Sequence, residues 1–194
     1  RAERRAAEHR DEPASRRAKQ NEYDPYGQVM LRLNQLQYIG HPIDKIDLIL
    51  MGGTMTARSH DYQVWFVKRA LEAMNDYNVE SDPDPSNVDN FSQDPEEYKF
   101  KYVNDVIKEN EESDVRCIGI TFETKPDWCE HEQIDRMLNV GGTKVEIGVQ
   151  TTYERINREM HRGHGTQASK NANKWLRDSG FKIGFHMMPG QPGM

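Results

Sequence analysis

The stretch KVEIGVQT, Lys144–Thr151, is a short apolar run that ends on polar residues, and it leads through the charged segment TYERINREMH into Arg162-Gly163-His164-Gly165. Three further runs share its form: KIDLILMGG (Lys45–Gly53), VRCIGITFET (Val115–Thr124) and KIGFHMMPG (Lys182–Gly190). Runs this short, bounded by Gly, Pro and polar residues, read as strands. Their near-continuous hydrophobicity predicts a parallel sheet buried on both faces.

Helical patterns separate the strands. Tyr26, Val29, Met30, Leu33 and Leu36 form one stripe, stopped by Gly40, and Val64, Val67, Leu71 and Met74 form another, with Ser59 or Asp61 placed to cap its start. Ile134, Met137 and Leu138 mark a third. The last spans Thr166–Ser179, with Trp175 and Leu176 turned inward and Gly180 as its stop. The last three strands recur about every 30–40 residues, the length of a βαβ unit. The first interval is lengthened by NVESDPDPSNVDNFSQDPEEY (Asn78–Tyr98), which is acidic, rich in Pro, Ser and Asn, and reads as an exposed insertion. The fold class is therefore α/β, with parallel strands and outer helices in an open sheet or a barrel. In both, ligands bind at the carboxyl ends of the strands. Those ends read Gly52-Gly53-Thr54, Glu123-Thr124-Lys125-Pro126, Gln150-Thr151-Thr152 and His186-Met187-Met188-Pro189.

Bulk properties narrow the function. A chain of 194 residues suffices for one well-cored domain or part of a larger one. A net charge of −6 argues against a generally basic nucleic-acid binder but permits a local basic patch. No run approaches the ~18 apolar residues of a membrane span, and RAERRAAEHR lacks the apolar core of a signal peptide. Cys117 and Cys129 make no disulfide framework and fit a reducing compartment, so a cytoplasmic location is expected. Both ends read as cut, which predicts a fragment of a longer protein.

Several residues carry possible chemistry. The Gly52-Gly53 pair lets backbone approach a ligand closely or simply makes a βα turn, and it belongs to neither a dinucleotide fingerprint nor a P-loop. Glu146 and Gln150 share one strand face; Glu146 requires a polar surrounding or a cation, and Gln150 offers a donor and an acceptor. His161 and His164 stand three apart among glycines, which is not the spacing of a zinc protease. Arg162 between them suits a carboxylate or phosphate. His186 reads either as a core histidine or as a pocket residue with Met187 and Met188. Cys117 reads as a buried small hydrophobe, and Cys129 as inert packing or as a thiolate at a helix start. In ASRRAKQNEYDPYGQ (Ala14–Gln28), Arg16, Arg17 and Lys19 next to Tyr23 and Tyr26 make a solvated helix face or a grip on single-stranded nucleic acid.

The segments DEPASRRAKQNEYDPY, QLQYIGHPIDKIDLILMGGTMTA, CIGITFETKPDWC, VEIGVQTTYE, RGH and DSGFKIGFHMMPG occur in this order. Together they resemble the radical S-adenosylmethionine (SAM) core of the Elp3 family, the catalytic subunit of Elongator and its stand-alone relatives, over residues 11–194, and most resemble the archaeal members. The resemblance implies a partial TIM barrel of the radical SAM type over residues 23–194, with the insertion at 78–98 and residues 1–22 as the segment after the cluster loop. It implies a radical SAM module of a tRNA uridine(34) carboxymethyl-type modifying enzyme that uses acetyl-CoA, SAM and a [4Fe–4S] cluster. By the same resemblance, Gly52, Gly53, Thr54, Gln150, His186, Met187 and Pro189 line the SAM pocket, and Lys45 binds acetyl-CoA. Arg16, Arg17, Lys19 and Arg162 are expected to contact tRNA, and a homodimer or Elongator-like subunits are the expected partners. The family's three cluster cysteines precede the EP…YDPY segment, where this sequence has RAERRAAEHR, so no cluster ligand is expected in this chain. The acetyltransferase domain is likewise expected to lie outside it. The alternative is a cluster-free, inactive tRNA and acetyl-CoA binding scaffold; a barrel enzyme acting on a phosphorylated metabolite, with Arg162 on the phosphate, is a third reading.

Overall fold

The structure, a computed structural model, describes residues 13–51, 54–84 and 102–191. In chain order its elements are α1 (Pro13–Gln20), α2 (Pro25–Tyr38), β1 (Lys45–Leu50), α3 (His60–Asp76), α4 (Val103–Glu111), β2 (Arg116–Thr124), α5 (His131–Asn139), β3 (Lys144–Gln150), α6 (Glu154–Glu159), α7 (Thr166–Asp178) and β4 (Lys182–Met187). Short 3-10 turns follow β1 at Met55–Ala57 and β2 at Pro126–Trp128. The four strands form one sheet in the order β1-β2-β3-β4, with β2 to β3 and β3 to β4 parallel. The chain divides into two compact units, one of Arg1–Ile46 and Val64–Ile118, the other of Asp47–Gln63 and Gly119–Met194.

Within the first unit, the stripe read from the sequence becomes α2. Asp24 caps it by accepting from the Tyr26 and Gly27 amides, Pro25 supplies a preset φ at its start, and Gly40 ends it with φ +82°. Tyr26, Leu31 and Leu33 are buried there, as are Val67, Leu71, Met74 and Val106. Arg69 is buried among them and is compensated three ways: it pairs with Asp24 and Glu72 and stacks 4.4 Å over the Tyr26 ring. Asn110, also buried, donates to Asn75, Ser113 and the Val115 carbonyl while accepting from the Cys117 amide. A single side chain thus satisfies the backbone where α4 turns into β2.

The second unit carries the strand carboxyl ends. Along β3, Val145, Ile147 and Val149 are buried while Lys144, Glu146, Gly148 and Gln150 are half-exposed. Phe122 of β2, Ile134 and Met137 of α5, and Ala172 and Leu176 of α7 are buried as well and make up the core of this unit. Glu130 and Gln133 close α5 with a capping box, and Gly180 ends α7 with φ +84°. The expectation of a sheet buried on both faces is therefore corrected. Right-handed crossovers put their helices on the same side of the sheet. Among the described residues, the other side of this unit carries Asp47, Thr121, Glu123, Glu146 and His186. This is the distribution of a barrel wall, whose inner face is polar where a ligand sits.

Candidate functional site: the carboxyl ends of β2, β3 and β4

Strand β3 ends abruptly. Gln150 adopts φ +66°, a left-handed conformation uncommon for a residue with a side chain. The β3–β4 register shifts between Ile147 and Gln150, the Thr151 amide bonds back to the Val149 carbonyl at 2.8 Å, and the Met188 amide bonds to the Gln150 carbonyl at 2.9 Å. The two strand ends are thereby stitched together, and Gln150 stands opposite Met187.

The turn after α6 returns to this point. Arg162 donates from Nη2 to the Gly148 carbonyl at 3.3 Å. A Cβ at Gly148 would meet Gln150 Nε2 at 3.0 Å and Arg162 Nη2 at 3.6 Å, so the missing side chain leaves room for both groups. His164 is buried, and its pKa is lowered, chiefly by that burial, with Asp127 opposing and Arg162 and Lys125 adding to the shift. Its imidazole is therefore neutral near pH 7, with one donor and one acceptor nitrogen. Gln150 Oε1, Arg162 Nε and both ring nitrogens of His164 are buried without a hydrogen-bond partner. Unmade hydrogen bonds at buried groups are costly. These atoms leave donor and acceptor capacity at the strand ends that a bound molecule or water can fill.

A row of charge runs beneath it on the open face. Lys144 Nζ lies 2.5 Å from Glu146 Oε1, and His186 Nε2 lies 2.7 Å from Glu146 Oε2 and 3.9 Å from Glu123 Oε1. Glu123 stands opposite Glu146 in the β2–β3 register. Ligand atoms of Glu123, Glu146 and His186 lie within 4.8 Å of one another. The hydrogen bond from Lys144 holds the Glu146 carboxyl below its usual range, helped by His186 and opposed by burial. A depressed carboxyl stabilises the fold above its unfolded pKa, about 4.3 for Glu, and that contribution is lost as the pH falls through the folded value. Acid unfolding should accordingly lose stability more steeply below about pH 4.5 in the wild type than in Glu146→Gln. Matching slopes in urea melts across that range would show that the pair adds nothing.

The structure sorts the sequence-based candidates. Gln150, Arg162, His186 and Met187 come together at the ends of β3 and β4, with Pro189 exposed just beyond. His186 is exposed and bonded to Glu146, so the core-histidine reading falls and Glu146 finds the cation it required. Gly52 and Gly53 lie outside the described residues. Thr54 caps the turn Met55–Ala57, and the neighbouring Thr56 joins the end of β2 through a 2.5 Å hydroxyl bond to Thr124. Lys45 sits exposed at the amino end of β1, paired with Asp44 at 3.0 Å. Arg16, Arg17 and Lys19 lie on α1. Cys129 is buried, donates to the Lys125 carbonyl, and has its thiol pushed up to about 12 by burial, which removes the thiolate reading. Residues 85–98 of the acidic insertion lie outside the described residues. Glu123 and Lys125 were placed at a strand end by sequence position, but only the register shows that Glu123 stands opposite Glu146, and only the fold shows that Lys125 acts on His164.

Residues 32–194 match the radical SAM superfamily. The chain belongs to that superfamily. Within it, the chain is 41% identical over 182 residues to the tRNA uridine(34) acetyltransferase of Methanocaldococcus infernus, covering 94% of this chain and 30% of that protein. It is 35% identical over 183 residues to Elongator complex protein 3 of Mus musculus, with the same 94% and 30% coverage. The solved archaeal Methanocaldococcus infernus Elp3 with an N-terminal deletion of residues 1–46 superposes with a TM-score of 0.75 at 41% identity, over 89% of this chain and 35% of that one. This radical SAM domain, with the parallel α/β partial-barrel fold, is similar to that of these Elp3 proteins and spans about 30% of the length of the curated relatives it matches. Among the described residues no helix is long and apolar enough to cross a membrane.

Radical SAM proteins as a class use SAM and an iron–sulfur cluster held by Cys thiolates. At the strand ends, Arg162 Nε, Gln150 Oε1 and the His164 ring nitrogens offer donors and acceptors of the kind the first of these requires. Cys117 and Cys129 do not fit the second: one is half-buried early in β2, the other is buried and protonated.

Proposed function

We propose that this chain is the radical SAM module of a tRNA uridine(34) carboxymethyl-type modifying enzyme that uses acetyl-CoA, SAM and a [4Fe–4S] cluster. The observation that carries this reading is the 41% identity, over 94% of this chain, to an archaeal tRNA uridine(34) acetyltransferase, and the polar atoms of Gln150, Arg162 and His164 at the strand ends suit a polar cofactor. Arg162, expected from the resemblance to contact tRNA, would instead hold the SAM carboxylate from its place beside Gly148, and Gln150 and His164 would meet its hydroxyl and amine groups; Arg16, Arg17 and Lys19 would contact tRNA. His186, with Met187 and Pro189, would flank it on the β4 side, and Gly52, Gly53 and Thr54 would approach it from the loop after β1. SAM, when bound, supplies the adenosyl group that radical chemistry in this superfamily draws on. The residues of this chain bind and orient it, and Lys144 keeps Glu146 ionised next to the pocket.

Residues 23–194 would form the module and residues 1–22 a segment leading into it, with the acetyltransferase domain and the cluster cysteines elsewhere in the protein. Lys45 would serve acetyl-CoA; it lies about 17 Å along β1 from Leu50 at the usual strand rise, well away from the carboxyl end where SAM is placed. A homodimer or Elongator-like subunits would complete the assembly, in the cytoplasm. A second reading is a cluster-free scaffold that binds tRNA and acetyl-CoA without chemistry.

Calorimetric titration of the full-length protein with SAM, tRNA and acetyl-CoA tests both. The enzyme reading expects SAM binding, an iron–sulfur absorbance band after anaerobic reconstitution, and weakened acetyl-CoA binding in Lys45→Ala. Loss of the band and of SAM binding, with tRNA binding intact, would leave the scaffold. No SAM, acetyl-CoA or tRNA binding would remove both, and wild-type acetyl-CoA affinity in Lys45→Ala would remove the assignment of that lysine.

A further inference from the structure

Helix α7 begins at Thr166, and its N-cap residue, Gly165, has no side chain with which to satisfy the first amides. The missing cap comes from another helix. Glu154, the first residue of α6, accepts through Oε2 from the Thr166 amide at 2.8 Å and from the Thr166 hydroxyl at 3.0 Å. A carboxylate at the positive end of a helix is favoured by the helix dipole as well. The two bonds from Thr166 hold the Glu154 carboxyl below its usual range.

Gly165 is a glycine for the sake of this contact. Its backbone is extended, with φ −98° and ψ 179°, a conformation open to any residue. A Cβ there, however, would stand 2.7 Å from Glu154 Oε1 and 3.1 Å from Oε2. The space that a side chain would fill is occupied by the carboxylate that caps the helix.

This clamp closes a loop. Residues 160–165 run from α6 to α7 and carry Arg162 and His164. The near end of the loop is fastened to α6, since the Arg162 amide donates to the Asn157 carbonyl and the His161 amide to the Arg158 carbonyl, both at 3.1 Å. Buried Asn157 in turn donates from Nδ2 to the Thr151 carbonyl, just past the end of β3, at 3.4 Å. Within the loop His161 adopts φ +52°, which a residue with a side chain keeps only where its surroundings enforce it. The far end is fastened by Glu154.

We infer that Glu154 is a positioning residue: by bridging the start of α6 to the start of α7, it sets the loop that presents Arg162 and His164 and so tunes the affinity of the strand-end pocket. Its own carboxylate is engaged by Thr166 and acts on the ligand through the loop. This role rests on the reading of the pocket as a SAM site, and it extends that reading to two residues, Glu154 and Gly165, that lie outside the pocket. With the clamp open, a smaller fraction of molecules holds both groups in place, and the apparent affinity falls by that fraction.

Calorimetric titration of the full-length protein with SAM tests it. Glu154→Ala is expected to weaken binding about three- to tenfold, the equivalent of one lost helix cap. Glu154→Gln keeps a neutral acceptor and should recover part of the loss. Gly165→Ala pushes the carboxylate off Thr166 and should weaken binding to a similar extent. In a Glu154→Ala background the same substitution should add nothing, because no carboxylate remains to be displaced. A general loss of folding would instead make the two substitutions add. Glu159→Ala, which removes an exposed acid of the same helix paired with Arg155 at 2.9 Å, is the control and should bind as the wild type does. Thermal melts check that each variant is folded at the titration temperature. Wild-type affinity in both Glu154→Ala and Gly165→Ala, or a Gly165→Ala effect of full size in the Glu154→Ala background, overturns the clamp and leaves the SAM reading standing. Absence of SAM binding by the wild type overturns the SAM reading, and the role of Glu154 with it.

Discussion

Replacing Phe122 by alanine is expected to lower the unfolding free energy by about 3–5 kcal/mol, the usual cost of emptying a buried aromatic site. Phe122 is 0% exposed, near the carboxyl end of β2, on the side of the sheet covered by helices. The packing is close on the neighbouring turn as well: a Cβ at Gly142 would stand only 3.1 Å from Phe122 Cε2. Little can move inward to fill the space, because the backbone carbonyl of Met137 closes the same turn at 2.8 Å from that position. Both the transfer term and the cavity term should therefore appear in full. Phe122→Leu keeps most of the volume and should cost less than half as much. Urea unfolding followed by circular dichroism would read the difference as a shift in midpoint at constant slope. A cost below about 1 kcal/mol for the alanine variant would mean that the core of this unit relaxes freely, contrary to the contacts described. Against a total stability of about 5–15 kcal/mol, the expected loss is enough to threaten folding at physiological temperature.

Arg162→Ala should reduce SAM affinity of the full-length protein by about 10–100-fold, as for loss of a charge-assisted hydrogen bond. The guanidinium is already fixed before any ligand arrives, with Nη2 on the Gly148 carbonyl and Nε buried and unused. A fixed fork loses little entropy on binding, so its removal should cost the full bond. Arg162→Lys retains the charge but not the fork and should recover only part of the affinity. Gln150→Ala should be milder, since it removes a neutral partner. Calorimetry at equilibrium, without turnover, separates this from any effect on chemistry, and a melting curve checks that the link to Gly148 is not chiefly structural. If Arg162→Ala binds SAM as the wild type does, the pocket has been placed on the wrong residues.

Much of the fold was legible in the residues. The four apolar runs each became a strand, within a few residues at the ends, because short runs bounded by Gly and Pro admit few alternatives. Gly40 and Gly180 stop their helices with positive φ as anticipated, and Ser59 meets the start of α3 through its hydroxyl at 3.4 Å from the Tyr62 amide. Helix α4 was not anticipated; it has few apolar residues, and only Val106 and Asn110 are buried along it. The burial of both sheet faces was overestimated, because a strand rich in Ile and Val reads the same whether its second face meets a helix or the interior of a barrel. For the site, position along the strands pointed to Gln150 and His186, since the strand-end rule depends on order alone. It could not show that Arg162 folds back onto Gly148, or that Lys144, Glu146, His186 and Glu123 align across three strands. Those relations depend on register, which a single chain does not display.

Strand β3 keeps two kinds of obligation apart by the parity of residue number. Val145, Ile147 and Val149 face the packed side, while Lys144, Glu146, Gly148 and Gln150 face the open one. Substitutions at odd positions are tied to shape and volume, and selection on them acts through folding. Those at even positions change charge, hydrogen bonding and free space with little effect on the core. A lineage carrying this strand can therefore explore new ligands one even-numbered residue at a time while the odd-numbered ones keep the scaffold intact.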